Sequence, residues 1–117
     1  MTLTLPWPPS VNHYWRRNRN GSLRISKAGL AFRWQVAAAC RSQIKGPLRL
    51  RGRIHMFIDA HPPDKRRRDL DNLLKGLCDS LQHAGAYDDD CDIDFLQIKR
   101  CGVEKGGRLR VLVWGVT

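Results

Sequence analysis

Leu70-Asp71-Asn72-Leu73-Leu74-Lys75-Gly76-Leu77-Cys78-Asp79-Ser80-Leu81 carries the clearest structural signal in the chain. Its apolar residues Leu70, Leu73, Leu74, Leu77, Cys78 and Leu81 recur at i, i+3, i+4, i+7, i+8 and i+11, which is one stripe on an α-helix. A helix with a single stripe packs against one apolar surface, and a sheet supplies it. Gly85 stands where a left-handed C-cap is expected.

Strand signals lie on both sides of this helix. Leu50 to Asp59 places Ile54, Met56 and Ile58 at period two, a half-buried strand, and Pro62-Pro63-Asp64 marks a turn after it. Downstream, Ile93 to Cys101 reads as a strand. Gly106-Gly107 reads as a hairpin turn into Leu109, Val111 and Val113, a last strand ending near Val116. Thr2 to Leu5 alternates as a short first strand, and Pro6-Trp7-Pro8-Pro9 ends its pairing in a stiff extended segment. Residues 16–24 lack periodicity and contain Arg16, Arg17, Arg19 and Arg24, so they read as a mobile basic loop. Ser26 is placed to N-cap a helix from Lys27 to about Ile44, with Leu30, Trp34, Val36 and Ala37 on its apolar face and Gly46-Pro47 as its stop. The order β-α-β-α-β-β predicts an α+β fold with a small mixed sheet and two main helices. No repeat or linker interrupts it, so a single domain over residues 1–117 is expected.

Lys and Arg number 21 against 11 acids, a formal net charge of +10 on 117 residues. Such a surplus repels itself and is usually retained because it attracts polyanions. Cys40, Cys78, Cys91 and Cys101 form no C-x-x-C pair, so a zinc site or disulfide framework is not expected, and scattered cysteines of this kind serve as small core hydrophobes. No apolar run approaches the roughly 18 residues of a membrane span, and there is no secretory h-region. The expectation is a soluble cytoplasmic protein with no membrane association.

The chemistry points to the N-terminal end of the same helix. Lys65-Arg66-Arg67-Arg68 abuts Asp69 and Asp71. Cations attract a polyanion that paired carboxylates repel, unless a divalent metal sits between them. Carboxylates two apart lie on opposite faces of a regular helix but on one side of an extended segment. If they share a metal, the helix therefore begins between them. Two readings of the pair are open: a capping acid with a dipole-complementing acid, or two metal ligands. A second cluster, Asp88, Asp89, Asp90, Asp92 and Asp94, puts five acids in seven residues, and a divalent cation is the usual remedy for that repulsion. The spacing is not that of an EF-hand, because Ile93 and Lys99 stand at the glycine and glutamate positions. Acids drawn from two elements suit Mg²⁺, which takes few carboxylates and keeps waters. Lys75, four residues after Asp71, reads either as an ion-pair partner or as a cation stabilising charge on a phosphate or leaving oxygen. His55 and His83 read as structural, Trp34 and Trp114 as core, and Trp7, Tyr14 and Trp15 as a packed flank of the basic loop.

Several of these blocks together resemble the RusA family of Holliday junction resolvases. They are Leu5-Pro6-Trp7-Pro8-Pro9-Ser10 with Asn12, Arg66-Arg67-Arg68-Asp69-Leu70-Asp71-Asn72-Leu73 with Lys75, Ala84-Gly85, Asp89-Asp90, and Lys105-Gly106-Gly107-Arg108-Leu109. The match runs almost end to end in order and spacing. The resemblance implies a homodimeric endonuclease, common in phages and prophages, that nicks two opposed strands of four-way junction DNA using Mg²⁺ or Mn²⁺ and no organic cofactor. It implies metal ligands at Asp69, Asp71 and Asp90, with Lys75 as an essential lysine. It implies DNA contacts from Ser10, Asn12, His13, Arg16, Lys65, Arg66, Arg67 and Arg68. Asp88 and Asp92 enlarge the acidic group around the third ligand, which leaves Asp89 and Asp92 as alternatives to Asp90, and His13 stands where a basic residue is common. Two rival functions remain at this point: a non-catalytic basic DNA-binding module, and a nuclease acting on linear duplex or RNA.

Overall fold

The computed structural model describes residues 1–46 and 49–116. Four strands form the main sheet: β1 (Thr2–Leu5), β4 (Arg53–His61), β5 (Ile93–Arg100) and β6 (Arg108–Val116), in the order β1-β6-β4-β5. β6 is antiparallel to both β1 and β4, whereas β4 and β5 run parallel. A parallel pair needs a crossover, and the helix α3 (Leu74–His83) provides it, entered through a 3-10 turn at Leu70–Leu73. The mixed sheet and two main helices of the expected α+β fold are present, the second helix being α2 (Lys27–Gln43).

Alternation along the strands sets the core. Leu3 and Leu5, Ile54, Met56, Ile58 and Ala60, and Leu109, Val111 and Val113 all point to the helical side and are buried. Leu73 of the 3-10 turn and Leu77, Cys78 and Leu81 of α3 meet them, as the stripe predicts. α3 ends as expected: Gly85 has φ 86° and donates to the Gln82 carbonyl, and Ala86 donates to Leu81. The opposite sheet face carries half-buried His55, Phe57 and Trp114 with exposed Phe95. Their rings stack edge-on or tilted, with centroids 5.1–5.7 Å apart.

Four expectations are corrected. Gly106-Gly107 turns the chain, but β5 and β6 do not form a hairpin, because β4 lies between them. Residues 16–24 are not an unstructured loop. After a one-turn helix α1 (Val11–Tyr14), β2 (Trp15–Arg17) and β3 (Leu23–Ile25) pair as an antiparallel hairpin closed around Asn18 to Ser22. On α2 the buried face is Gly29, Phe32, Val36 and Cys40, while Leu30 and Trp34 are exposed, Trp34 by 67%. Trp114 belongs to the outer sheet face rather than the core. Ser26 does cap α2, its hydroxyl accepting from the Gly29 amide at 2.9 Å, and Gly46 follows the helix, whereas Pro47 lies outside the described residues. Cys40 and Cys78 are buried, as core hydrophobes are, but Cys91 is exposed, and all four thiols are free.

Tyr14 locks α1 to both helices. Its ring fits only because Gly29 and Gly76 lack side chains: a Cβ on Gly76 would lie 2.9 Å from Tyr14 Cδ2, and one on Gly29 would lie 2.5 Å from the Tyr14 carbonyl oxygen. The hydroxyl donates to Asp79, lies 3.1 Å from Ser80 Oγ and accepts from Arg33 Nε at 3.0 Å. Arg33 also pairs with Asp79 at 2.8 Å. Burial and the Asp79 carboxylate raise the Tyr14 pKa, so the phenol stays protonated and keeps donating. Among the described residues no helix is long and apolar enough to cross a membrane.

Candidate nucleic-acid interface

β4 delivers the chain to a loop, Pro62–Asp69, at the edge of an open cleft of about 640 Å³. The cleft is lined by Trp7, Pro8, Ser10 and His13 from the N-terminal segment and by Arg66, Arg67, Arg68, Asp69, Asn72 and Leu73 from the loop and turn before α3. Six of the residues singled out in the sequence thus share one surface: Ser10, His13, Arg66, Arg67, Arg68 and Asp69. Ser10 Oγ and His13 Nδ1, which line the same cleft, are 2.9 Å apart. Asn12 and Arg16 line a neighbouring groove with Trp15 and Arg17, and Lys65 is exposed beside the arginines.

The arginine loop is held by contacts of Asp64, Trp7 and Arg100 that the sequence did not disclose. Arg68 pairs with Asp64 at 2.7 Å, its guanidinium lies 5.9 Å from the centre of the Trp7 ring, and Arg100 donates to the Arg68 carbonyl at 2.7 Å. The Arg68 guanidinium and the Arg66 amide hold the Asp64 carboxyl at a pKa of about 2. The only signal for this in the sequence was an acid four residues before Arg68, and that spacing has meaning on a helix but none in a loop.

Asp69 is extended (φ −84°, ψ 131°) and Asp71 lies in the 3-10 turn, so the helix begins between them, as a shared ligand pair requires. Asp69 occupies the N-cap position but makes no side-chain capping bond. Among the described residues neither carboxylate has an ion-pair partner, although three arginines precede them. The capping explanation therefore fails for Asp69. Lys75 likewise makes no ion pair with Asp71 among the described residues, so the i, i+4 pairing is not what holds it.

The second acidic cluster resolves differently from expectation. Arginines relieve most of its repulsion: Asp88 pairs with Arg49 at 2.7 Å, while Asp92 (3.6 Å) and Asp94 both pair with Arg53. Asp89 caps the 3-10 turn Asp90–Asp92 by accepting from the Cys91 amide at 3.0 Å. Asp90, half-buried, is the member with neither an arginine nor a capping role. Its backbone amide is fixed by Gln82 Oε1 at 3.0 Å.

One chain does not gather Asp69, Asp71 and Asp90 at a point. Among the described residues no three His, Cys, Asp or Glu side chains are arranged to hold a metal ion. Topology gives the reason. Asp69 and Asp71 precede α3, at the end of the sheet where β4 finishes, and Asp90 follows α3, where parallel β5 starts beside Ile54. The helical run between them spans about 20 Å.

Mixed sheet and crossover helix define an α+β protein whose arginine-lined cleft suits a polyanion, and comparison with known sequences gives the family. Residues 6–113 match the family model described as endodeoxyribonuclease RusA, and the chain belongs to that family. It is 44% identical to the crossover junction endodeoxyribonuclease rusA of Enterobacteria phage HK97, over 93% of this chain and 89% of that one. Identity to the crossover junction endodeoxyribonuclease RusA of Escherichia coli strain K12 is 40%, over 96% and 92% of the two chains. The phage 82 protein of the same name is 41% identical over 95% and 91%.

Proposed function

We propose that residues 1–117 form one endonuclease domain. It acts as a homodimer that resolves four-way DNA junctions with paired nicks in the cytoplasm of a bacterial cell and is phage- or prophage-encoded. The observation that carries this reading is a pair of uncommitted carboxylates, Asp69 and Asp71, set beside a cleft walled by Arg66, Arg67 and Arg68. Family membership and relatives named for crossover junction cleavage support the substrate.

Hard oxygen donors fit Mg²⁺, with Mn²⁺ able to substitute, and among the described residues no group of three His, Cys, Asp or Glu forms a set that would favour zinc. Asp90 supplies the third carboxylate, since Asp88, Asp89, Asp92 and Asp94 are engaged elsewhere. Because Asp90 sits at the far end of α3 within its own chain, the twofold axis of a dimer brings the partner subunit's Asp90 to Asp69 and Asp71. Two equal sites then face two strands, which matches symmetric nicking. Bound by these carboxylates, Mg²⁺ would supply charge neutralisation at the scissile phosphate and a more acidic water. The chain's own residues do the rest. Arg66 and Arg67 grip phosphate oxygens, and Arg68, fixed by Asp64 and Trp7, presents its loop in one orientation. Ser10, just before α1, with Asn12 and His13 on it, position the strand, and Tyr14 anchors that helix. Lys75, in the first turn of α3, stabilises negative charge that develops on the leaving oxygen. These contacts are to backbone phosphates, so shape rather than base sequence selects the junction.

The test is nicking of a labelled four-way junction with and without Mg²⁺, against linear duplex. Asp71→Asn is expected to lower cleavage at least about a hundredfold while keeping junction binding. Undiminished cleavage by that variant, or preference for the duplex, overturns the reading.

A further inference from the structure

The β2–β3 hairpin carries an arrangement that free-standing structure does not favour. Its register places Arg16 directly opposite Arg24. Residues paired across an antiparallel ladder project to the same face, and like charges in that position destabilise it. Among the described residues neither arginine has an acidic partner, although Arg33, Arg49, Arg53, Arg66, Arg68 and Arg108 all do. Both line a cleft of about 470 Å³ together with His13, Ser26, Lys27 and Ala28, and no acid contributes to it. His13 belongs to this cleft and also to the arginine-walled one, so the two surfaces are continuous. The exposed side chains of Arg16, Arg24 and Lys27 therefore extend a cationic track away from Asp69.

We infer that this cleft is a second phosphate-binding site, which takes a backbone phosphodiester of a DNA arm flanking the nicked position. The inference rests on the nuclease reading and adds to it Arg24 and Lys27, which the site at Asp69 does not use. A phosphate seated between Arg16 and Arg24 converts their repulsion into two charge-assisted hydrogen bonds, so hairpin and DNA arm order each other. Stability of the free protein and affinity for DNA oppose one another at this spot, and that opposition is the signature of the site.

Two measurements test it. Binding of a four-way junction is titrated in Ca²⁺ from 50 to 200 mM salt for the unsubstituted protein and for Arg24→Gln/Lys27→Gln. Loss of the one phosphate seated there lowers the log–log salt slope by about 1, so the variant's affinity falls about three- to fourfold less across that range. Separately, Arg24→Glu replaces a like pair with an opposite pair across from Arg16, and the Tm of the DNA-free protein is expected to rise while junction affinity falls. An unchanged salt slope in the double variant, or a lowered Tm in Arg24→Glu, overturns the inference. If the unsubstituted protein nicks junctions in Mg²⁺ and the slope is unchanged, the second site alone is refuted. If it nicks nothing in Mg²⁺, the nuclease reading falls first.

Discussion

Tyr14→Phe removes one oxygen from the joint between α1, α2 and α3 while keeping the ring between Gly29 and Gly76. The hydroxyl is buried, donates to Asp79, accepts from Arg33 Nε at 3.0 Å and lies 3.1 Å from Ser80 Oγ. Deleting it leaves Ser80, fully buried, without that partner, and takes from Asp79 its one neutral donor. The Arg33–Asp79 pair survives, because Arg33 Nη2 and Nε both reach Oδ2, at 2.8 and 3.0 Å. A hydrogen bond to a charged group is worth about 1.5–3 kcal/mol, and the orphaned serine adds to its loss, so a destabilisation of about 2–3 kcal/mol follows. For a chain of this length that lowers Tm by about 8–12 °C. Urea titration gives the free energy and calorimetry the Tm. Since α1 also carries Asn12 and His13 and is preceded by Ser10, junction affinity is expected to fall with stability. A loss below about 0.5 kcal/mol would show that the ring alone positions α1 and that the polar network contributes nothing net.

Two further outcomes follow from the same geometry. Gly29→Ala is expected to destabilise more than Gly76→Ala, because its Cβ would meet the Tyr14 backbone oxygen at 2.5 Å rather than a ring atom at 2.9 Å. Crowding of that kind costs about 1–3 kcal/mol against about 1 kcal/mol of helix propensity gained, and equal or raised Tm in either variant would contradict the packing described. For Asp64, NMR titration of the carboxyl should give a midpoint of about 2, below its ordinary 3.8. A depressed folded-state value stabilises the fold above pH 3.8 and loses that contribution as pH falls through about 2, so the Arg68 anchor persists throughout the neutral and mildly acidic range. A midpoint near 4 would mean that Arg68 is not held.

What the sequence discloses depends on how local the determining physics is. The Leu70–Leu81 stripe has one apolar face, so periodicity alone selects both the helix and its buried side. α2 is apolar nearly all round: Leu30, Trp34 and Ala37 compete at helical spacing with Phe32, Val36 and Cys40. The winner was decided by Gly29, whose lack of a side chain lets Tyr14 approach from another element. The hairpin β2–β3 has three-residue strands, too short to show alternation, and is stabilised through Ser26 and Tyr14 rather than by its own pattern. Strand order was hidden because a glycine turn announces a reversal but not which neighbour the next strand takes. At the site, Arg66, Arg67, Arg68 and Asp69 did meet Ser10 and His13 at one cleft, while Asp71 is not among the residues that line it. The acidic cluster misled because Arg49 and Arg53, about forty residues upstream, supply the countercharge a metal was expected to supply. The separation of Asp90 from Asp69 and Asp71 follows from the parallel pairing of β4 and β5, which no local pattern encodes.

The central claim is that each cutting site joins Asp69 and Asp71 of one chain to the partner subunit's Asp90. Asp71→Asn and Asp90→Asn proteins, each inactive alone, are mixed one to one and allowed to exchange subunits before junction nicking is measured in Mg²⁺. Half of the dimers are then mixed, and each holds one intact and one doubly substituted site, so nicking is expected to return to about a quarter of the unsubstituted rate, as single nicks without paired resolution. If all three aspartates acted within one chain, every site in the mixture would lack a ligand, and no recovery above the separate variants would contradict the account.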